Sequence, residues 1–403
     1  MTARVTLRFG DEKSIAGRIT AARWMGGMLN RGTKNKTRQQ ISDEFDKLKT
    51  QAGFSSSGNA ITANITTTRP NLQASLRLAA EVLKEPAFPQ NEFDTYKAQQ
   101  LAAIENIRTE PAVIAQVALQ KKLAPYPKGH PQYVTSPDED AEAFKAVTVD
   151  DIRRIYTELV GASHGDLSAV GDFPADSVTS LARELFGSWR SPKPFARFVR
   201  NYFDVTGTTE KIETPDKANA VYIAGHNLKV RDDSREWPAL VIGNYILGGG
   251  FLNSRLAGRI RQRDGLSYGV GSMVQAQQLD SVGVFMENAI YNPENVVRLE
   301  AAFHEEIEKV LKDGLTADEV EKAKQGYLQQ MVQNRSADAF LTQLFSSQAL
   351  TGRTMRYDQQ FETWMAALTP ADVNAAIRKY IDPKKLSVVM AGDFKNKPPK
   401  VVP

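Results

Sequence analysis

The chain has 403 residues, with 51 basic and 47 acidic side chains for a net charge of +4, 41% hydrophobic residues and no cysteine. That composition excludes disulfides, thiolate metal sites and cysteine nucleophiles, and the weak, dispersed charge gives no basic stripe for nucleic acid. At roughly 100–200 residues per domain the length fits two to four ordinary domains, and no apolar run is long enough to span a membrane.

In chain order, Ala3-Arg4-Val5-Thr6-Leu7-Arg8-Phe9 alternates polar and apolar residues like a half-buried strand. A strand that close to Met1 suggests a trimmed start or the mature part of a longer precursor. A second strand is expected over Ile61–Thr67, followed by an apolar helix stripe at Leu72, Leu76, Ala79 and Leu83. Thr148 and Asp151 have the spacing of a helix-capping box, and Ala169-Val170-Gly171-Asp172-Phe173 ends the strand that follows. Val178, Leu181, Leu185 and Phe186 form another stripe, and Ser191-Pro192-Lys193-Pro194 reads as a linker. Beyond it, strands are expected at Val221–Ala224 and Val282–Met286. Val296, Leu299, Phe303, Ile307 and Val310 line one helix face. Thr369 and Asp372 repeat the capping box, and Leu386–Met390 is a strand running into Ala391-Gly392-Asp393-Phe394.

The capping boxes and the strand endings recur at a common offset of 221 residues. Two landmarks at one offset indicate duplication. The expected fold is α+β, with two tandem homologous subdomains, each an antiparallel sheet with helices packed on one face. The expected boundaries are 1–190, a linker at 191–210, and 211–403.

A catalytic metal held without cysteine needs histidines and carboxylates at close spacing. The four histidines, His130, His164, His226 and His304, lie at least thirty residues apart. His304 and Glu308 are four apart on a helix, which fits a solvated face better than a ligand pair. There is no Gly-x-Ser-x-Gly nucleophile turn. Leu247-Gly248-Gly249-Gly250 lacks the spacing of a phosphate loop and reads as a backbone turn that uses positive φ and close approach.

Three stretches together resemble the pitrilysin/insulinase family, the inverted zincins marked by His-x-x-Glu-His. The strongest runs from Leu247-Gly248-Gly249-Gly250 through Ser254-Arg255-Leu256 to Arg261 and Gly265-Leu266-Ser267-Tyr268. The second is the pair of strand endings. The third, Ala22 to Thr33, resembles the family's zinc helix. Where that motif has His, Glu and His, this chain has Arg23, Gly26 and Gly27. Arginine offers a metal no lone pair and glycine has no side chain. Glu105 stands near the place of the family's distal glutamate ligand, as a possible remnant. The general base is lost with Gly26, and two glycines inside a helix cost roughly 1 kcal/mol each, which makes sense if they admit a neighbouring backbone.

The resemblance implies a non-catalytic half with no cofactor of its own and no metal residues. Zinc is expected in a partner half, either a separate subunit or the N-terminal part of a longer chain; a homodimer is the other arrangement. Arg261 and Tyr268, seven apart, match the family's substrate-binding pair and imply peptide binding and oxyanion stabilisation in trans. The plain alternative for them is a salt-bridged surface arginine and a core tyrosine. The alternative function is an inert scaffold or peptide-binding protein of the same fold. Family analogy and compact subdomains imply a bacterial source and a periplasmic or envelope location.

Overall fold

A computed structural model describes residues 1–400. The first sheet is built from β1 (Thr2–Arg8), β2 (Gln51–Ser56), β3 (Ala60–Thr66) and β4 (Gly165–Val170), in the order β2-β3-β1-β4 and antiparallel throughout. Alternation decides which side is covered: Ala3, Val5 and Leu7 face inward beside Ile61, Ala63 and Ile65. Helices Leu72–Lys84 and Val149–Leu159 contribute to the same core. The second sheet has β5 (Thr209–Glu213), β6 (Ala220–Leu228), β7 (Ser267–Ala276), β8 (Gly283–Tyr291) and β9 (Ser387–Gly392), ordered β5-β9-β6-β8-β7. Only β5 runs parallel to its neighbour, β9.

On the inner face of this sheet Tyr222 stacks on Phe303 of helix Val296–Asp313, with centroids 4.4 Å apart and planes 8° from parallel. Burying one such ring contributes roughly 1.5–3 kcal/mol. The expected stripe from Val296 to Val310 is buried throughout. Both capping boxes form with matching geometry. The Asp151 amide donates to Thr148 Oγ1 at 3.2 Å and the Thr148 amide to Asp151 at 2.9 Å. Thr369 and Asp372 repeat the same two distances. The fold is therefore the expected α+β pair of similar subdomains.

Each subdomain also lends one helix to the outer face of the other sheet. Helix Pro111–Leu123 lays Ala115, Leu119 and Leu123 against Ile223, Val389 and Ala391 of the second sheet. Helix Asp338–Thr351 crosses the first sheet through polar contacts: Thr342 to Thr2 at 2.7 Å, and Ser346 to Thr6 at 3.1 Å and Asp166 at 2.8 Å. Residues 187–208 join the units without helix or strand. They are pinned to both sides, by Ala196 N–H on the Gly10 carbonyl and by two Arg197–Asp280 bonds of 2.6 and 2.7 Å.

Candidate functional site

The glycine-rich segment is helical rather than a simple turn. Tyr245–Gly249 forms a wide π-helical turn, and none of its glycines has positive φ. Close approach alone explains them: a Cβ on Gly248 would lie 2.4 Å from the amide nitrogen and hydroxyl of Ser272 on β7. The positive φ falls instead on Phe251, at 53°, whose ring is 70% exposed.

A second π-helical turn, Ala257–Arg263, carries Arg261. Charges on both sides fix this stretch. Arg255 binds Glu319 at 2.7 and 2.8 Å, holding that carboxyl down at about 2. Arg259 binds Asp264 and, at 2.7 Å, Glu305. Ile260 is fully buried between them. A bulge between Ser267 and Gly269 then turns Tyr268 outward, leaving it 88% exposed. The Arg261 guanidinium carbon lies 6.0 Å from the Tyr268 ring centre. Arg261 is half-buried, and among the described residues its guanidinium has neither an ion pair nor a hydrogen bond. The plain alternative of a salt-bridged arginine and a core tyrosine does not describe this pair.

Sequence reasoning passed over the neighbours of this pair. Ile290 on β8 pairs with Gly269 and is 51% exposed, and Phe251 and Leu252 are exposed nearby in sequence. Strand alternation carried the signal for Ile290: Phe285, Ala289 and Tyr291 are buried, so Ile290 must face out.

Arg23, Gly26 and Gly27, where the sequence suggests a degenerate zinc motif, lie elsewhere. Arg23 is in helix Ile19–Met25, which tightens at Gly26 into the 3₁₀ turn Gly26–Arg31. A Cβ on Gly26 would sit 2.2 Å from the Ser56 nitrogen and 2.3 Å from the Ser55 carbonyl carbon, so the β2 backbone fills the space beside it. Ser56 Oγ ties strand to helix, accepting from Gly26 N–H at 3.0 Å and donating to the Ala22 carbonyl at 2.6 Å. Gly27 gives way to a side chain, since its Cβ would meet the Tyr96 hydroxyl at 2.2 Å. Glu105 is an exposed residue bound to Arg108 at 2.8 Å. Arg23 lines a cavity of about 600 Å³ between the two subdomains.

These residues do not fit zinc. Among the described residues no group of three or more His, Cys, Asp or Glu side chains is placed to hold a metal ion. His226 is buried on β6, with its imidazole pushed down by burial, and His130 stacks on Tyr126 at 4.5 Å.

Residues 146–327 match the family model of the Peptidase M16 inactive domain. The match spans 182 of the 403 residues. Arg261 and Tyr268 lie inside the M16 match, while Arg23, Gly26, Gly27 and Glu105 precede it. The pitrilysin/insulinase resemblance is thus borne out. The chain is 28% identical over 264 residues to an uncharacterized zinc protease of Streptomyces coelicolor, covering 64% of this chain and 56% of that relative's length. It is 21% identical to the non-peptidase homolog YmxG of Helicobacter pylori, covering 97% of this chain and 88% of that one. Its fold matches the crystal structure of a peptidase M16 inactive domain from Pseudomonas fluorescens with a TM-score of 0.84 at 23% identity, over 100% and 93% of the two chains. It matches the periplasmic protease PqqL of Escherichia coli with a TM-score of 0.71 at 13% identity, covering 99% of this chain and 43% of that one.

Proposed function

We propose that this chain is the non-catalytic half of a zinc peptidase, joined to a zinc-bearing half, and that Arg261 and Tyr268 act on the peptide bound between them. The observation that carries this reading is a half-buried guanidinium with no partner among the described residues, held beside an almost fully exposed phenol. Peptide hydrolysis builds negative charge on the scissile carbonyl oxygen, and a fixed O–H or guanidinium aimed there lowers the barrier. Arginine also grips a peptide carbonyl through more than one N–H. The exposed Phe251, Leu252 and Ile290 supply apolar surface for the partner or the peptide.

The partner is a separate subunit or a preceding part of a longer polypeptide. Coverage of 43% of PqqL is the proportion expected if the chain corresponds to about half of a two-half enzyme. That neighbour's location supports a periplasmic or envelope setting. The unit boundaries we propose are 1–190 and 211–403, with the connecting stretch between. The test is a reconstituted pair: Arg261→Ala with Tyr268→Phe should lower kcat/KM for a peptide at least 100-fold, the scale of losing an oxyanion donor. Unchanged cleavage refutes the assignment. A second reading, an inert peptide-binding protein, is favoured by the likeness to YmxG across nearly the whole chain. Peptide binding with no cleavage beside any zinc-bearing partner would select it.

A further inference from the structure

Outside the Arg261–Tyr268 surface, the feature with the most unused chemistry is the cleft between the subdomains. Its volume of about 600 Å³ lies in the range of small-ligand sites. Two arginines line it, Arg23 from the first subdomain and Arg200 from the connecting segment, and no aspartate or glutamate does. Neither guanidinium has an ion pair or hydrogen bond among the described residues. Asp280, whose field reaches Arg200, is already held by both terminal nitrogens of Arg197. The lining of the cleft is therefore electropositive.

The remaining lining is specific. Gln132 donates Nε2–H to the Val199 carbonyl at 2.8 Å, while its Oε1 is buried with no partner among the described residues. A buried amide oxygen left unpaired costs about 1–3 kcal/mol, so this atom calls for a donor. Gln120, Gln275 and Gln277 also line the cleft, and their side-chain amides are unpaired among the described residues. Val284 and Met286 on the outer face of the second sheet and Phe198 from the connecting segment add apolar walls. Side-chain amides match peptide groups, which both donate and accept, and guanidiniums match carboxylates.

We propose that this cleft binds the carboxylate end of a peptide, with Arg23 and Arg200 on the carboxylate, Gln132 Oε1 on a peptide N–H, and an apolar side chain against Phe198, Val284 and Met286. The site belongs to this chain alone and needs no zinc-bearing partner. Arginine at the first degenerate zinc position thereby has a role of its own: the residue that cannot bind a cation faces a cleft suited to an anion.

The probe is the tetrapeptide Ala-Leu-Ala-Leu, labelled at its N-terminus and titrated by fluorescence anisotropy into the full chain without a second protein. The free acid should bind at least 10-fold tighter than its C-terminal amide, the scale of one charge-assisted hydrogen bond. Arg23→Gln and Arg200→Gln should each remove that preference. A C-terminal amide ending in glutamate that binds as well as the free acid would also support the site, and would assign the carboxylate to a side chain. Arg200 is exposed, so Arg200→Gln carries the test if Arg23→Gln melts early. Equal binding of acid and amide, variants that bind like the parent, displacement by inorganic phosphate as effective as by the free acid, or no binding at millimolar probe would each overturn the proposal.

Discussion

Replacing Glu287 by glutamine should flatten the pH dependence of this protein's stability. Glu287 lies on β8, facing the core between Phe285 and Ala289, and is completely buried. Neither carboxyl oxygen has a hydrogen-bond partner among the described residues, and burial pushes the group up from 4.5 to about 8. The folded chain therefore keeps this proton at neutral pH, while the unfolded chain releases it above about 4.5. Folding stability is at its full value below that pH. It falls by roughly 1.4 kcal/mol per pH unit as pH rises toward 8, and levels off once the folded group ionises. At pH 7 the accumulated loss is on the order of 3 kcal/mol, a sizeable part of the 5–15 kcal/mol typical of domains. Glutamine keeps the shape and cannot ionise. Urea unfolding followed by circular dichroism between pH 5 and 8 should show the parent losing stability relative to Glu287→Gln across the whole window. Parallel profiles would refute the reasoning, because they would mean that Glu287 is ionised in the folded protein or finds a partner.

Gly26→Ala tests the packing of this helix against β2. Alanine should gain about 1 kcal/mol of helix propensity, but its Cβ would meet the β2 backbone at 2.2 Å, an overlap that costs at least 1–3 kcal/mol. A lower melting temperature is expected, and a variant as stable as the parent would show that β2 yields easily. For the same reason the combined change Arg23→His, Gly26→Glu and Gly27→His should not create a zinc site, and elemental analysis after dialysis should find no stoichiometric metal. Glu319→Gln should lower stability by roughly 1–3 kcal/mol above pH 5 by weakening the Arg255 anchor. The difference should shrink as pH falls from 4.5 toward 2, where the parent carboxyl also protonates; a gap independent of pH would count against the anchor.

The duplicated architecture was legible because its signals are local. A capping box needs only Thr148 and Asp151, or Thr369 and Asp372, three residues apart, and each forms within its own first turn. The helix stripe from Val296 to Val310 needs only a period of 3.6. Glu287 was legible too but unread, since alternation puts it in phase with Phe285, Ala289 and Tyr291. Arg261 and Tyr268 could be paired because seven residues and one bulge separate them, but the lack of a partner for Arg261 among the described residues depends on the whole surrounding surface. The exchange of helices was not legible. Ala115, Leu119 and Leu123 would pack as readily on their own sheet, and nothing local in Thr342 or Ser346 announces a sheet some 340 residues away. The cleft escaped for the same reason: its arginines come from distant segments, and only the assembled fold leaves both without carboxylates.

That exchange also sets when each covering helix is synthesised relative to the sheet it covers. β4 completes the first sheet by Val170, yet the helix that covers its outer face ends at Thr351. Through the synthesis of some 180 residues, Thr2, Thr6 and Asp166 wait for a covering made late in the chain. Their polarity suits that delay: an outer face of hydroxyls and a carboxylate tolerates water while it waits, whereas the apolar outer face of the second sheet finds helix Pro111–Leu123 already made when its strands emerge.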